Sequence, residues 1–187
     1  IDEIGNAVAV TTTLNGSYGS KVFVEKGGFF LNNEMDDFSS KPGVPNMFGL
    51  IGGKANSISS QKRMLSAMTP TIVEKNGKLS MIVGTPGGST IITSVLQTIL
   101  NVYEFGMNIQ KAVSAARFHH QWRPDNILME PGRFDQNIIK KLQEKEYEIK
   151  EEYNRIIGRV DAVHISENGI ISTGADPRGD DKAVNLY

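Results

Sequence analysis

The chain has 187 residues, which is enough for one domain with a sizeable core or for a large piece of one. Its 20 basic and 21 acidic residues are intermixed and give a net charge of -1, which argues against a nucleic-acid or membrane partner. Neither a bilayer-spanning apolar run nor a signal peptide is expected in it. The absence of cysteine excludes disulfides, thiol catalysis and thiolate metal sites.

The first third of the chain is predicted to contain short strands and one long loop. Residues 2–6 are typical of a hairpin turn, and the β-branched run at 7–14 is predicted to be the strand after it. Because only Ile1 precedes the turn, the partner strand is expected to lie upstream, to have been cleaved off or to be supplied elsewhere. A second short strand is predicted at 27–31, and the Gly-, Pro- and Ser-rich stretch 39–65 is predicted to be a long loop.

Three helices are predicted in the second half of the chain. The longest covers residues 89–105, because its apolar residues recur at spacings of three and four, and Gly106 falls at a left-handed C-terminal cap. Asn108 is predicted to cap a helix over 109–116, and Asp135 to cap a helix over 136–145. In the last of these, the side chains expected to face inward are Ile138, Ile139 and Leu142.

Strands are predicted around these helices and indicate the fold class. Residues 69–83 are typical of a hairpin with Asn76 and Gly77 at its turn. Further strands are predicted at 127–130, 162–166 and 170–173, and the last two are expected to pair with each other. Because strand runs outnumber helices and hairpins imply antiparallel pairing, the predicted class is α+β, with helices layered on an antiparallel sheet.

The turn Thr85-Pro86-Gly87-Gly88-Ser89 joins a predicted strand at 80–84 to the longest helix. Backbone N–H groups at a helix start have no intrahelical partner and lie at the positive end of the helix dipole. Glycine lets a ligand approach that backbone closely. Such a turn can hold an anion, or the oxyanion that develops when an acyl carbonyl is attacked. An ordinary tight turn accounts for the same two glycines.

Small polar residues at predicted element ends are the remaining candidates for chemistry, since phosphate-loop, zinc-helix and nucleophile-elbow motifs are absent. His119 and His120 are predicted to be structural, because adjacent residues of an extended chain point to opposite faces. Two acids beside an asparagine can hold an ammonium group, and a serine hydroxyl can hold a carboxylate. Turns, caps and solvated faces explain each candidate equally well. The candidates are Thr13, Asn15, Glu34, Asp37 and Ser66.

More specific motifs extend over essentially the whole chain. They lie at residues 5–11, 31–39, 41–43, 45–46, 62–71, 84–89, 117–122 and 176–178. Together they resemble the small, C-terminal subunit of γ-glutamyltranspeptidase, a family of the N-terminal-nucleophile hydrolase superfamily. The resemblance implies a four-layer αββα sandwich, with residues 1–187 as a single domain that completes its fold with a large subunit cut from the same precursor.

The resemblance also implies an activity. The enzyme would carry out γ-glutamyl transfer and hydrolysis on glutathione and related compounds, through an ester on an N-terminal Thr whose own α-amine is the base. It would use no cofactor or metal, and its acceptor would be water, an amino acid or a peptide. A periplasmic or secreted location is implied as well.

Roles for individual residues follow from the same resemblance. Thr13 would hydrogen-bond the nucleophile's hydroxyl, and the amides of Gly87 and Gly88 would stabilise the oxyanion. The substrate α-amino group would be held by Asn15, Glu34 and Asp37. Ser66 would bind the α-carboxylate together with an arginine of the large chain.

Two departures from the family pattern are visible. The nucleophilic Thr lies upstream of Ile1, so a polypeptide that begins at Ile1 is predicted to lack transpeptidase activity. Ala67 stands where the family usually has a second serine. Loss of a hydrogen bond to a charged group weakens binding by roughly 1.5–3 kcal/mol, or about tenfold or more.

Other functions remain open. Relatives with this fold cleave poly-γ-glutamate or glutaryl-cephalosporin side chains, and Asn15, Glu34 and Asp37 favour an amino-bearing substrate over the cephalosporin. A non-catalytic subunit that binds γ-glutamyl compounds is an alternative of another class, which Ala67 and the missing Thr support.

Overall fold

Residues 1–70 contain little regular structure in the computed structural model, which describes residues 1–153 and 155–184. Strand β1 (Phe23–Val24) pairs antiparallel with β2 (Phe29–Phe30), which is shorter than the strand predicted at 27–31. The predicted turn at 2–6 is confirmed, because the Asp2 amide donates to the Asn6 carbonyl at 3.0 Å and the Gly5 amide to the Asp2 carbonyl at 3.1 Å.

The strand predicted at residues 7–14 is wrong. Side-chain exposure alternates with the period of two expected of a strand: residues 7, 9 and 11 are partly buried and 8, 10 and 12 are exposed. The described part of the chain supplies no neighbouring strand for their backbone groups to bond, so no ladder forms. Residues 8–12 instead line a groove of about 520 Å³ beside Ile82, Ala162 and Gly174.

The predicted loop at 39–65 is confirmed and is held in place by local bonds. Isolated bridges join Ser39 to Ser57 and Pro45 to Ile51. Short 3-10 turns occupy Glu34–Asp37 and Lys54–Asn56. The amide side chain of Asn56 ties the loop's two ends, since its Nδ2 donates to the Asp37 carbonyl at 2.7 Å and its Oδ1 accepts from the Leu65 amide at 3.0 Å.

A four-stranded antiparallel sheet carries the core. Its strands, in spatial order, are β3 (Thr71–Lys75), β4 (Lys78–Gly84), β8 (Asp161–Ile165) and β9 (Ile171–Gly174). The predicted hairpin turn is confirmed, with Asn76 at φ 53° and Gly77 at φ 71°, the two positive values of a type I′ turn. The predicted pairing of the last two strands is confirmed as well.

Two helices cover one face of this sheet. Helix α1 (Ile91–Tyr103) packs against β4 and against α2 (Ile109–Ser114), and α2 packs on β8 and β9. Buried Val83, Val95 and Val113 meet in the core between these layers. The predicted cap is confirmed, since Asn108 Oδ1 accepts from the Lys111 amide at 2.8 Å. Gly106 has φ 63°, as a left-handed cap requires.

A second sheet contains β5 (Phe118–His119), β6 (Ile127–Met129) and β7 (Ile149–Glu151), with helix α3 (Gln136–Gln143) between the last two. Asp135 caps α3 as predicted, accepting from the Asn137 amide at 2.8 Å. Ile139 is buried, but the inward direction predicted for Ile138 is wrong because that side chain is 51% exposed. Its position, one residue and about 100° from Ile139, turns it away from the sheet. None of the described helices has the length and apolarity needed to cross a bilayer.

Candidate active site

The turn between β4 and α1 needs glycine at two adjacent positions. Gly87 has φ 146° and Gly88 has φ 57°, values that L side chains rarely adopt. A Cβ on Gly87 would lie 2.6 Å from Thr90 Oγ1, and one on Gly88 would lie 2.6 Å from a ring carbon of Phe48. Neither position therefore has room for a side chain, and only glycine fits both the conformation and the space.

The amides of this turn have no hydrogen-bond partner among the described residues. The Gly87 carbonyl accepts from the Thr90 amide at 3.1 Å and from the Thr90 hydroxyl at 2.9 Å, which holds the peptide in one orientation. Within residues 1–153 and 155–184, neither the Gly87 nor the Gly88 amide donates a hydrogen bond to another group. Both donors lie at the start of a helix, where a developing negative charge is stabilised.

A cavity of about 450 Å³ opens over the turn and brings together five of the seven predicted site residues. Its lining includes Thr13, Asn15, Asp37, Gly87 and Gly88. These residues come from three separate parts of the chain. The spacing of these residues along the sequence could not show that they lie together in the fold.

The other two predicted residues are not among those that line this cavity. Ser66 is exposed, and its neighbour Ala67 lines the cavity instead. Glu34 begins the 3-10 turn that ends at Asp37, so it lies one turn away from the cavity-lining acid. The roles predicted for Glu34 and Ser66 stay predictions.

Thr13 and Asn15 are held by a local bond and by Asn33. The Asn15 amide donates to Thr13 Oγ1 at 2.8 Å, and Asn15 adopts φ 72°, a left-handed conformation that asparagine tolerates. Asn33 accepts from Asn15 Nδ2 through its carbonyl at 3.0 Å and from the Gly16 amide through its side chain at 2.9 Å. Asn33 is not among the predicted site residues, although the adjacent pair of asparagines before Glu34 is a signal for a turn.

Burial affects the acids of the predicted ammonium site. Desolvation, and then the neighbouring charge of Asp36, raises the pKa of Asp37 above its ordinary value. Desolvation, and then the charge of Asp37, raises the pKa of Glu34 in the same way. A cation placed near either carboxylate would oppose this effect, because a nearby positive charge favours the charged form of the acid.

The tip of the 39–65 loop lies over the glycine turn. Asn46 Oδ1 accepts from the amides of Phe48 and Leu50, each at 3.0 Å, and so closes the tip into a tight turn. Gln121 Nε2 donates to the Phe48 carbonyl at 3.0 Å. The ring of Phe48 is thereby held against Gly88.

A buried histidine orients that glutamine. His119 Nε2 lies 2.8 Å from Gln121 Oε1, and its Nδ1 lies 2.8 Å from Thr93 Oγ1 on α1. Burial lowers the pKa of His119. His119 is buried and His120 is exposed, so the two rings occupy different environments, as predicted for adjacent residues of an extended chain.

An ion-pair network supports the rear of the turn. Arg117 Nη2 lies 2.6 Å from Asp176 Oδ2, with both side chains buried, and Arg117 Nη1 donates to the carbonyls of Ile157 at 3.0 Å and Gly158 at 3.2 Å. The Gly158 Cα would lie 3.3 Å from a Cβ on Gly87, so the anchored segment packs directly behind the turn. Burial alone would raise the pKa of Asp176, but bonds from the Val160 and Arg178 amides and from Arg117 hold it below its ordinary value.

Comparison with known proteins assigns the family. The family model described as Gamma-glutamyltranspeptidase matches residues 1–186. The chain belongs to the γ-glutamyltranspeptidase family. Its free Gly87 and Gly88 amides and the cavity over them are thus features of a γ-glutamyltranspeptidase chain.

Similar proteins cover the whole chain. A "Glutathione hydrolase proenzyme" of Escherichia coli is 45% identical over 187 residues, which are 100% of this chain and 32% of that protein. One from Pseudomonas aeruginosa is 44% identical over 96% of this chain and 32% of its own length. The chain therefore spans about a third of the length of these curated relatives.

Solved structures agree in fold. A chain of a mutant Gamma-glutamyltranspeptidase from Pseudomonas nitroreducens matches with a TM-score of 0.93 at 42% identity, covering 100% of this chain and 96% of that one. A chain of a mutant Helicobacter pylori enzyme matches with a TM-score of 0.90 at 48% identity, covering 96% of this chain and 97% of that one. The predicted α+β fold of the N-terminal-nucleophile hydrolase type is confirmed.

Proposed function

We propose that the chain is the small subunit of a γ-glutamyltransferase and glutathione hydrolase. The observation that carries the proposal is the convergence of two free backbone amides, at Gly87 and Gly88, with Thr13, Asn15 and Asp37 in one cavity of about 450 Å³. Ligand cavities in proteins are typically about 300–1,000 Å³, so the volume suits a glutamyl group.

In this proposal, each part of the substrate is bound by a different group of residues. The α-ammonium group lies against Asp37 and the side chain of Asn15, with Glu34 adding negative charge from the same 3-10 turn. The γ-carbonyl lies at Gly87 and Gly88. Ser66, with an arginine of the large subunit, holds the α-carboxylate.

The chemistry follows from the nucleophile that belongs upstream of Ile1. The hydroxyl oxygen of an N-terminal Thr attacks the γ-carbonyl carbon while its proton passes to that residue's α-amine. The amides of Gly87 and Gly88 stabilise the resulting oxyanion. The amide C–N bond then breaks, and the α-amine returns the proton to the departing nitrogen. Water or an amine later breaks the ester, and Thr13 keeps the hydroxyl oriented throughout.

A large subunit from the same precursor is the proposed partner. Apolar side chains are exposed on two parts of the described chain: Val8 and Val10 are each 70% exposed, and Ile92 and Leu96 are 51% and 52% exposed. Within each pair the positions share one face, two residues apart in an extended segment and four apart in a helix, and exposed apolar patches are typical of an interface. The relatives' names include the word proenzyme, and the chain spans 32% of the E. coli proenzyme but 96% of a chain in the P. nitroreducens structure. A periplasmic or secreted location is part of the same proposal.

The direct test is turnover by the complete precursor. We expect the precursor, expressed with its upstream part, to be cleaved into two chains and to release the anilide from a γ-glutamyl anilide. Mass spectrometry of the small chain should find a Thr at its N-terminus. A correctly cleaved two-chain protein without turnover would contradict the proposal.

One observation favours a second candidate. Ala67 lines the cavity at the position where a hydroxyl would help to hold an α-carboxylate. A substrate whose α-carboxylate is less important, such as a longer poly-γ-glutamate or another γ-glutamyl amide, would suit that change, and so would a non-catalytic γ-glutamyl-binding subunit. Competition between glutathione and a γ-glutamyl oligomer for the same enzyme, and calorimetry with glutamate beside turnover, distinguish these functions from the first.

A further inference from the structure

A second cavity adjoins the first along Met47, Phe48 and Gly87. Its volume is about 480 Å³, close to that of the first cavity. Because Gly87 belongs to the lining of both, the turn that holds the reacting carbonyl borders both spaces. A group attached to that carbonyl on the side away from the glutamyl chain can extend into the second cavity.

The two cavities differ in charge. Asp37 is the charged side chain in the lining of the first, whereas Lys150, Arg155 and Glu152 line the second. Positive charge therefore predominates in the second cavity. A carboxylate is the ligand group that such a pair of cations recognises.

The two cations are accessible to a ligand. Lys150 Nζ lies 3.3 Å from Glu148 Oε1, and Arg155 Nη1 lies 3.7 Å from Glu152 Oε2, with side chains 42–61% exposed. Ion pairs of this exposure are weak and exchange with solvent. A carboxylate can therefore displace water or share these cations without first breaking a buried ion pair.

We propose that the second cavity receives the acceptor of the transfer reaction, an amino acid or short peptide, and that Lys150 and Arg155 bind its carboxylate. The inference rests on the proposed function and adds the position and the recognition chemistry of the acceptor. The second cavity would also hold the departing dipeptide of glutathione, because this dipeptide carries a carboxylate of the same kind.

The transfer step fits this placement. The acceptor's neutral amine attacks the ester carbonyl carbon beside Gly87. A C–N bond forms, the ester C–O bond breaks, and one amine proton passes by way of the nucleophile's α-amine to its departing oxygen. His119 is not needed as a base, because both of its ring nitrogens are already bonded, to Gln121 and to Thr93. Its bonds keep Phe48 in place between the two cavities.

The test uses the complete two-chain enzyme with Lys150→Gln and Arg155→Gln, singly and combined. The readout is the ratio of transfer to hydrolysis with a γ-glutamyl anilide as donor and glycylglycine as acceptor. We expect the double variant to raise the acceptor KM about tenfold and to lower this ratio correspondingly. Lys145→Gln removes one exposed lysine outside the cavity and should keep the wild-type ratio.

A second measurement needs no variant. Glycylglycinamide has the same amine as glycylglycine but no carboxylate, so the wild-type enzyme should show an acceptor KM about tenfold higher for it. In the double variant this preference should disappear. Equal KM values for the two acceptors in the wild type, or an unchanged preference in the folded double variant, would overturn the inference. An enzyme that hydrolyses no γ-glutamyl anilide at all would instead refute the proposed function.

Discussion

The two halves of the candidate site are built in different ways. The carbonyl-holding half, Gly87 and Gly88, lies in one strand–turn–helix unit, and its conformation is determined by residues within a few positions and by the segment packed behind it. The proposed substrate-holding half is assembled from residues 13–67, where loops, 3-10 turns and single hydrogen bonds predominate and the one hairpin has strands of two residues each. In the proposed function, the reaction centre is therefore supported by regular elements, whereas substrate preference would depend on the loop region that contains Ala67.

The largest expected effect comes from the support behind the glycine turn. Asp176→Asn leaves the buried Arg117 guanidinium without its charged partner, and breaking a buried pair in this way costs about 3–5 kcal/mol. Denaturant unfolding of the two-chain enzyme should show this loss, and activity should fall with it. Asp180→Asn changes an exposed acid of the same segment and should leave the free energy of unfolding nearly unchanged. Equal stability of both variants would mean that the network does not support the turn.

The pH dependence of stability tests the same network. The pKa of Asp176 is lower in the folded protein than its ordinary value. Its contribution to stability is therefore fully present above the ordinary pKa of an aspartate and is lost as the pH falls through the folded-state pKa. The wild type should lose stability over this acidic range, and Asp176→Asn should lose less.

The next effect concerns the proposed oxyanion donors, the amides of Gly87 and Gly88. Gly88→Ala places a Cβ against Phe48 and strains a φ of 57°, so the amide should move from its position. Loss of one oxyanion donor typically lowers kcat by about 10²–10³. Gly169→Ala is the matched control, because Gly169 has φ 82° but open space around it and lies in a hairpin outside the site. If both variants keep wild-type kcat, the turn does not hold the oxyanion.

In the substrate-holding half, we expect a smaller effect on binding. Asp37→Asn removes the charge that is proposed to bind the ammonium group. A hydrogen bond to a charged group contributes about 1.5–3 kcal/mol, so KM for the γ-glutamyl donor should rise about tenfold or more. Because burial raises the pKa of Asp37, the charged acid destabilises the fold above that pKa, and the melting temperature near pH 7 should not fall. Asp125→Asn, at an exposed position outside this cavity, is the control.

The smallest expected effect is tighter binding of the substrate. Ala67→Ser restores a hydroxyl to the cavity lining and should lower KM for γ-glutamyl substrates, by up to about tenfold if the hydroxyl bonds the α-carboxylate. Ser66→Ala is the comparison, because it removes a hydroxyl and should raise KM for the same substrates. An unchanged KM in Ala67→Ser would show that the preference of this half does not depend on a second serine.

Features that depend on a few neighbouring residues could be predicted correctly from the amino-acid sequence. The Asn76-Gly77 hairpin, the caps at Asn108 and Asp135 and the left-handed Gly106 all follow from local backbone preferences, and all are present. The glycine turn could be recognised for the same reason. The strand predicted at 7–14 failed because a strand needs a neighbour to bond, and local preference cannot supply one.

Contacts between distant side chains became visible in the folded chain. The fold brings Thr13, Asn15 and Asp37 to Gly87 and Gly88, leaves Glu34 and Ser66 outside the cavity lining, and sets Lys150 and Arg155 in the adjoining space. These residues are far apart in the chain, and their approach depends on packing between sheet, helices and the 39–65 loop. Spacing along the sequence could not predict these contacts between distant residues. They form because apolar surfaces of separate elements are buried against each other when the chain folds.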